Sequence, residues 1–266
     1  MQGFVEHRED GPVYLTSPLL PCRHAFTTRF GGVSEGVFES LNLGEHRGDA
    51  PEKVRENYRR LCLSLGVELS SLVFSRQVHG GAVRVVSQAD RHELFSPVPY
   101  EADALVTNRT GLTLTVFTAD CVPVLLCDPV SGVVAAAHCG WRSSVQDILG
   151  GTVEAMSSLG ARAENIRAAI GPAIGGCCFE TDSDVPEAVF RWLGGDAEAL
   201  VSAREGAAGK YLVDLKGANR VRLLQLGLAE SHVAVSPDCT MCLSGIYWSH
   251  RVTKGVRGSQ AALIAL

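Results

Sequence analysis

The chain has 266 residues, 46% of them hydrophobic and 20% charged, the balance of a soluble globular protein rather than a disordered one. A net charge of −5 leaves no general footprint for nucleic acid, although a local basic pocket stays open, and no apolar run approaches the roughly 18 residues of a membrane span. The first residues lack the basic-then-apolar order of a signal peptide, which predicts a cytoplasmic protein whose nine cysteines stay reduced. Each cysteine is then either a small buried hydrophobe or chemically employed.

In chain order, residues 49–67 carry helical spacing at Val54, Tyr58, Leu61, Cys62 and Leu65, with Asp49 as the cap and Pro51 in the first turn. "SLVFSRQVHG" (71–80) reads as a short strand ending at a turn. Residues 103–108, 112–128 and 132–141 read as further strands, rich in β-branched side chains and bounded by Gly, Asn and Pro. A helix is expected from Ser144 to Leu159, where Gly150 and Gly151 signal close packing. Residues 165–171 and 232–236 read as strands, and 184–193 and 214–227 as helices, the second capped by Asp214. The tail, 258–266, reads as strand or helix. Strands and helices alternate irregularly, which predicts mixed sheets in a single α+β domain over residues 1–266.

"FTADCVPVLLCDPVSGVVAAAHCGW" folds back on itself at "DPVSG". If Asp128 to Ser131 form the turn, with Pro129 at its favoured second position, Cys121 lies directly opposite His138. If Asp128 instead pairs with Val133 around a four-residue loop ending at Gly132, the two are diagonal neighbours. Their Cβ atoms are then roughly 5 Å apart in the first register and 7–8 Å in the second, on one face in both. Cys139 alternates to the other face and reads as packing.

A thiolate facing an imidazole is either a nucleophile with its base or a pair of metal ligands. His79 in "RQVHGG" ends its strand at a glycine turn, and with Cys121 and His138 it would complete an N,S,N set with an open fourth position, suited to catalytic zinc. Spacing leaves the choice open, because the interval from 79 to 121 is no zinc-ligand signature.

"HAFTTRFGGVSEGVFESLNLGEHRGDAPEKVRENYRRL", "RQVHG", "TADCVPVLL", "AHCGWR" and "IGPAIGGCCFE" follow one another in that order, with "DCTMC" and "YWSHR" nearer the tail. From about residue 22 onward this set resembles the laccase-domain family, the YfiH-type polyphenol oxidase or purine nucleoside phosphorylase proteins of bacteria. The resemblance implies a layered α/β/β/α arrangement with mixed sheets. It implies a metal held by His79, Cys121 and His138, which are then also the catalytic residues. The cofactor that the resemblance implies is zinc, with copper as the alternative. It further implies phosphorolysis of adenosine, inosine and methylthioadenosine and deamination of adenosine, so the partners are a purine nucleoside and phosphate, with no nucleic acid and no membrane. Arg29, Asn42, Arg142 and Asp120 are assigned to the substrate. Asp120 either also accepts a hydrogen bond from one of the ligating imidazoles or simply ends a strand. Trp141 reads as a pocket wall. Cys139 and Ser143 depart from the common pattern, where Ala and Gly are usual.

Three rivals remain. A copper polyphenol oxidase needs a trinuclear cluster, yet none of the eight histidines forms a His-x-His pair. A cysteine or zinc hydrolase or amidase acting on a cell-wall precursor would use the same residues. A non-enzymatic zinc-binding interaction protein fits poorly with an open coordination position. Cys239 and Cys242 form a lone CxxC that reads as structural thiols, and the adjacent Cys177 and Cys178 are expected to point apart and pack rather than bind.

Overall fold

The computed structural model describes residues 3–8 and 11–266. Its elements in chain order begin with strands β1 (Val5–His7), β2 (Tyr14–Thr16) and β3 (Arg23–Thr27), helix α1 (Pro51–Leu65), and strands β4 (Leu72–Val73), β5 (Val83–Val85), β6 (Ala104–Thr107), β7 (Thr113–Thr118), β8 (Val122–Asp128) and β9 (Val133–Cys139). Helices α2 (Trp141–Val145) and α3 (Ile148–Ser158), strands β10 (Arg167–Ile170) and β11 (Glu180–Thr181), and helix α4 (Asp184–Leu193) follow. The chain continues through β12 (Val201–Ala203), β13 (Tyr211–Val213), α5 (Leu215–Gln225), β14 (Val233–Val235), α6 (His250–Thr253) and β15 (Gln260–Ala265).

Two six-stranded sheets form the middle layers, in the orders β1-β2-β3-β15-β7-β4 and β14-β10-β8-β9-β6-β5, with a small sheet β11-β13-β12 beside them. Both large sheets are mixed: β4 with β7, β5 with β6 and β10 with β14 run parallel, and the other pairs antiparallel. Phe26, Leu114, Val116 and Ile264 of the first sheet meet Leu105, Leu125, Val134 and Ala136 of the second in a dry interlayer. Alternate residues of the second sheet, such as Val124, Leu126, Ala135 and Cys139, turn outward against Leu149, Val153, Val189 and Leu223 of α3, α4 and α5. On the far side, Val54, Tyr58, Leu61 and Cys62 of α1 cover Ala25, Ala261 and Leu263. The layering is therefore α/β/β/α, as the motif order implies, and the tail is the strand of its two options, set between β3 and β7.

Four local readings change. Residues 71–80 form a strand only at β4; beyond it the Gln77 side chain, and not the main chain, exchanges bonds with the Phe117 backbone at 2.7 and 2.8 Å. Residues 112–128 split at Asp120, whose φ of 82° turns the chain, so that β7 joins one sheet and β8 the other. The helix expected over 144–159 breaks at Asp147, φ 61°, into α2 and α3; the Asp147 carboxylate then accepts from Arg222 Nε and Nη2 at 2.7 and 2.6 Å. Gly150 leaves room for that carboxylate, since a Cβ there would stand 2.2 Å from Asp147 Oδ2. Asp49 does not cap α1, where Ala50 occupies the position; its carboxylate accepts from Ser34 and Asn42 instead.

Leu125 is fully buried between the sheets. Leu125→Ala should lower stability by about 2–5 kcal/mol through lost transfer energy and a residual cavity. Val130→Ala, at a 77% exposed loop position, should change it by less than about 0.5 kcal/mol. Chemical denaturation of the two variants tests the contrast.

Candidate metal centre and its cavity

The hairpin of β8 and β9 pairs Asp128 with Val133 and Pro123 with His138, the four-residue-loop register with Gly132 at φ 65°. Cys121, immediately before β8, is therefore a diagonal neighbour of His138, and both sit at the end of the interlayer face. Cys139 faces the helices, fully buried. His79 reaches the same point from the loop after β4, in a left-handed conformation with φ 58°. The ligand atoms of His79, Cys121 and His138 all lie within 4.8 Å of one another, and the two imidazole rings meet edge to face at 4.8 Å between centroids.

Asp103 holds this geometry. Its carboxylate accepts from the backbone N–H groups of Val78 at 3.1 Å, His79 at 3.0 Å and Gly80 at 2.8 Å, which bends the loop so that His79 turns inward. It also accepts the His138 Nδ1 proton at 2.7 Å, leaving Nε2 as the nitrogen free to ligate. The sequence reading offered Asp120 for this part. In the structure Asp120 instead accepts from Thr240 Oγ1, Ser249 Oγ and the Arg251 backbone, and so anchors the turn between β7 and β8. No spacing marks Asp103, because its partners lie 23–35 residues away in sequence.

Burial by itself would push the Cys121 thiol up, but the His138 charge and hydrogen bonds from His138 and His79 bring it below the usual thiol range. Burial likewise opposes the His138 imidazolium, yet Cys121 and Asp103 outweigh it and raise that ring above the usual value. The cluster therefore favours thiolate near neutrality, the form that binds metals. Gly140 leaves the necessary space: a Cβ there would stand 2.6 Å from His79 Nδ1 and 3.3 Å from Cys121 Sγ. Two imidazoles and a thiolate converging with no fourth ligand among the described residues fit zinc or copper in an open site.

The centre opens into a cavity of about 780 Å³. Phe74, Phe117, Phe179 and Trp141 supply apolar lining, and Asp120 also lines it. The opposite character comes from Arg47, Arg76, Arg251 and Arg257 with His46 and His250, none of which the sequence reading singled out. Arg257 is the deepest of these, 7% exposed, with its Nε buried and without a hydrogen-bond partner. Burial and the charge of Arg47 pull its guanidinium down to about 10. Only the "SHR" of the "YWSHR" block hinted at this wall, through His250 and Arg251.

Arg29, Asn42 and Arg142 do not line the cavity. Arg29 lies 4.0 Å over the Trp248 ring and donates to the carbonyls of Glu39 and Ser244. Asn42 is buried, and its Oδ1 accepts from the backbones of Gly44 and Ser259, which border the basic wall. Arg142 is exposed and stacks on Trp141 at 4.3 Å.

The family profile described as multi-copper polyphenol oxidoreductase laccase matches residues 23–266. The chain belongs to this family. It is 39% identical to the purine nucleoside phosphorylase YlmD of Geobacillus stearothermophilus over 252 residues, 93% of this chain and 91% of that one. It is 36% identical to the adenosine deaminase RL5 of an unknown prokaryote, across 85% of this chain and 87% of the other. The crystal structure of the Geobacillus YlmD superposes with a TM-score of 0.91 at 35% identity, covering 100% of this chain and 99% of its own. Membership in the laccase family thus joins relatives named for purine nucleoside chemistry. No described helix is long and apolar enough to cross a membrane.

Asp103→Asn replaces an acceptor-only carboxylate with an amide whose NH₂ opposes either His138 or the 78–80 backbone. Metal affinity should fall by about 10–100-fold while the circular dichroism spectrum is retained. Gly140→Ala should weaken metal binding as well, by displacing His79. Competition titration against a chromophoric chelator reads both variants, and wild-type affinity in Asp103→Asn would refute the holding role.

Proposed function

We propose that the chain is a zinc-dependent purine nucleoside phosphorylase acting on adenosine, inosine and methylthioadenosine, with adenosine deaminase activity at the same centre. The observation that carries this reading is the meeting of an open His79–Cys121–His138 donor set with a wall of arginines in one cavity. The cavity, about 780 Å³, is within the usual range for small-molecule sites. The names of the relatives point the same way.

When bound, zinc supplies a Lewis-acid charge at the open end of the donor set. The chain's own residues do the rest. Asp103 keeps the proton on His138 Nδ1 and so keeps that ring in one orientation. Phe117, Phe179 and Trp141 offer apolar faces to the purine and exclude water from it. Arg257, with Arg47 beside it, presents donors to phosphate oxygens and offsets their charge. Phosphorolysis then forms a bond from a phosphate oxygen to the anomeric carbon as the glycosidic C–N bond breaks. Deamination replaces the purine amino group with oxygen from water and releases ammonia. Asn42 acts from behind the wall, through the backbones of Gly44 and Ser259.

The family description and the His₂Cys donor set favour a second reading, a copper polyphenol oxidase. Against it stands the want of any His-x-His pair, and among the described residues only one candidate ligand group contains histidine.

Metal analysis combined with an adenosine assay, with and without phosphate, separates the readings. The wild-type chain should carry zinc, release adenine with phosphate, and form inosine without it. Cys121→Ala should reduce both activities to background. Arg257→Ala should raise KM for phosphate about 10-fold or more, the size expected for a lost charge-assisted bond, and slow phosphate-free deamination less. Unchanged adenosine turnover in Cys121→Ala would sink the proposal. Stoichiometric copper with phenol oxidation would promote the oxidase, and metal-independent activity lost on thiol alkylation would promote a cysteine hydrolase.

A further inference from the structure

A second convergence of ligand atoms lies beyond the catalytic cavity. Cys177 and Cys178 do not point apart as their adjacency suggests in an extended chain, because residues 176–178 form a turn in which side chains no longer alternate. The Cys178 and Phe179 N–H groups both bond the Gly175 carbonyl at 2.9 Å, which closes that turn. Facing it is the "CTMC" segment, tied to the same strand extension by the bridge between Ala173 and Cys239. The sulfur atoms of Cys177, Cys178, Cys239 and Cys242 all lie within 4.8 Å of one another. Cys242 Sγ stands 3.7 Å from Cys177 and 3.4 Å from Cys178.

We propose that Cys177, Cys178, Cys239 and Cys242 form a second, structural zinc site, a closed tetrahedral tetrathiolate. With Zn–S bonds of about 2.3 Å, the edge of an S₄ tetrahedron is about 3.8 Å, close to the separations found. Two disulfides would draw the sulfurs into pairs at about 2.05 Å and would leave no reason for all four to share one centre. The surroundings suit thiolates bound to a cation. Gly175 N–H donates to Cys239 Sγ at 3.2 Å, and the Cys242 backbone donates to the same sulfur, so that one segment of CxxC spacing wraps its own ligand. Gly175 has no side chain to intrude, since a Cβ there would stand 3.2 Å from Cys177 Sγ and 3.3 Å from Cys239 Cβ. A tetrathiolate zinc carries two net negative charges, and the buried Lys216 ammonium lies within electrostatic reach of Cys239 and Cys177, fixed by the carbonyls of Ser236 and Asp238 at 2.7 and 2.8 Å. Loading replaces four S–H bonds by four S–Zn bonds and releases the protons to solvent.

The site would clasp two loops that build the catalytic cavity. Ile174 and Phe179 flank the first cysteine pair and line the cavity. Thr240, inside the CxxC, donates to Asp120 Oδ1 at 2.6 Å, one residue from Cys121.

Metal content and cobalt spectra of anaerobically purified, reduced protein decide the matter independently of any nucleoside assay. Wild-type chain grown with zinc should hold two equivalents; Cys121→Ala should retain one, and Cys239→Ser/Cys242→Ser should also retain one. Reconstituted with Co²⁺ alone, the Cys121→Ala chain should show the intense thiolate charge-transfer and visible bands of a tetrahedral tetrathiolate, whatever the folding of the serine variant. If zinc never bound at His79, Cys121 and His138, wild type and Cys121→Ala would hold the same single equivalent, and the tetrathiolate bands would still appear. A cobalt spectrum without those bands, or recovery of the four cysteines as disulfides from the reduced preparation, overturns the site.

Discussion

A carboxylate with no exposed side-chain surface, Asp103, collects three backbone N–H groups from residues 78–80 and the imidazole proton of His138. Burial opposes its charge, and these donors more than offset that, holding it below the usual carboxylate range. Because one group satisfies both histidine-bearing segments, neither can move without breaking bonds to a buried charge, each worth about 1.5–3 kcal/mol. The donor set of the proposed metal centre is thereby held in place by the protein's own hydrogen bonds. Its third ligand is set differently, by the left-handed turn at Asp120 that sends β7 and β8 into separate sheets.

That turn gives the molecule its working architecture. The interlayer between the sheets is apolar along most of its length and gives way to the large cavity at one end. Cys121 and His138 occupy interlayer positions that continue the same alternation as Leu125 and Ala136, so the site is an extension of the core and inherits its rigidity. Apart from Arg76, the basic wall comes from segments far apart in sequence, residues 44–47 and 250–259, brought together by Asn42 and by the central placement of β15.

The parts of this arrangement legible in the sequence are those with a short period. Strand alternation places Cys121 and His138 on one face in either register and Cys139 on the other, and the motif order implies the layers and the convergence of His79 with that pair. Helices α4 and α5 and strands β9, β10 and β14 lie where spacing put them. The strand over 71–80 stops early because the Gln77 side chain takes over bonds that regular backbone would make, and the helix over 144–159 breaks because Asp147 turns left-handed to meet Arg222 across the fold. Arg29 and Arg142 carry motif resemblance but lie outside the cavity lining, each stacked on a tryptophan.

The sequence by itself determined the chemistry on offer: thiols and imidazoles at strand ends, apolar runs of period two, glycines where turns must close. Only the tertiary structure decided which groups meet. Asp103 with His138, Arg47 with Arg257, and Cys177 and Cys178 with Cys239 and Cys242 are encounters across long loops. No local periodicity encodes them, because they arise when two sheets close on a common core and bring their ends into one place.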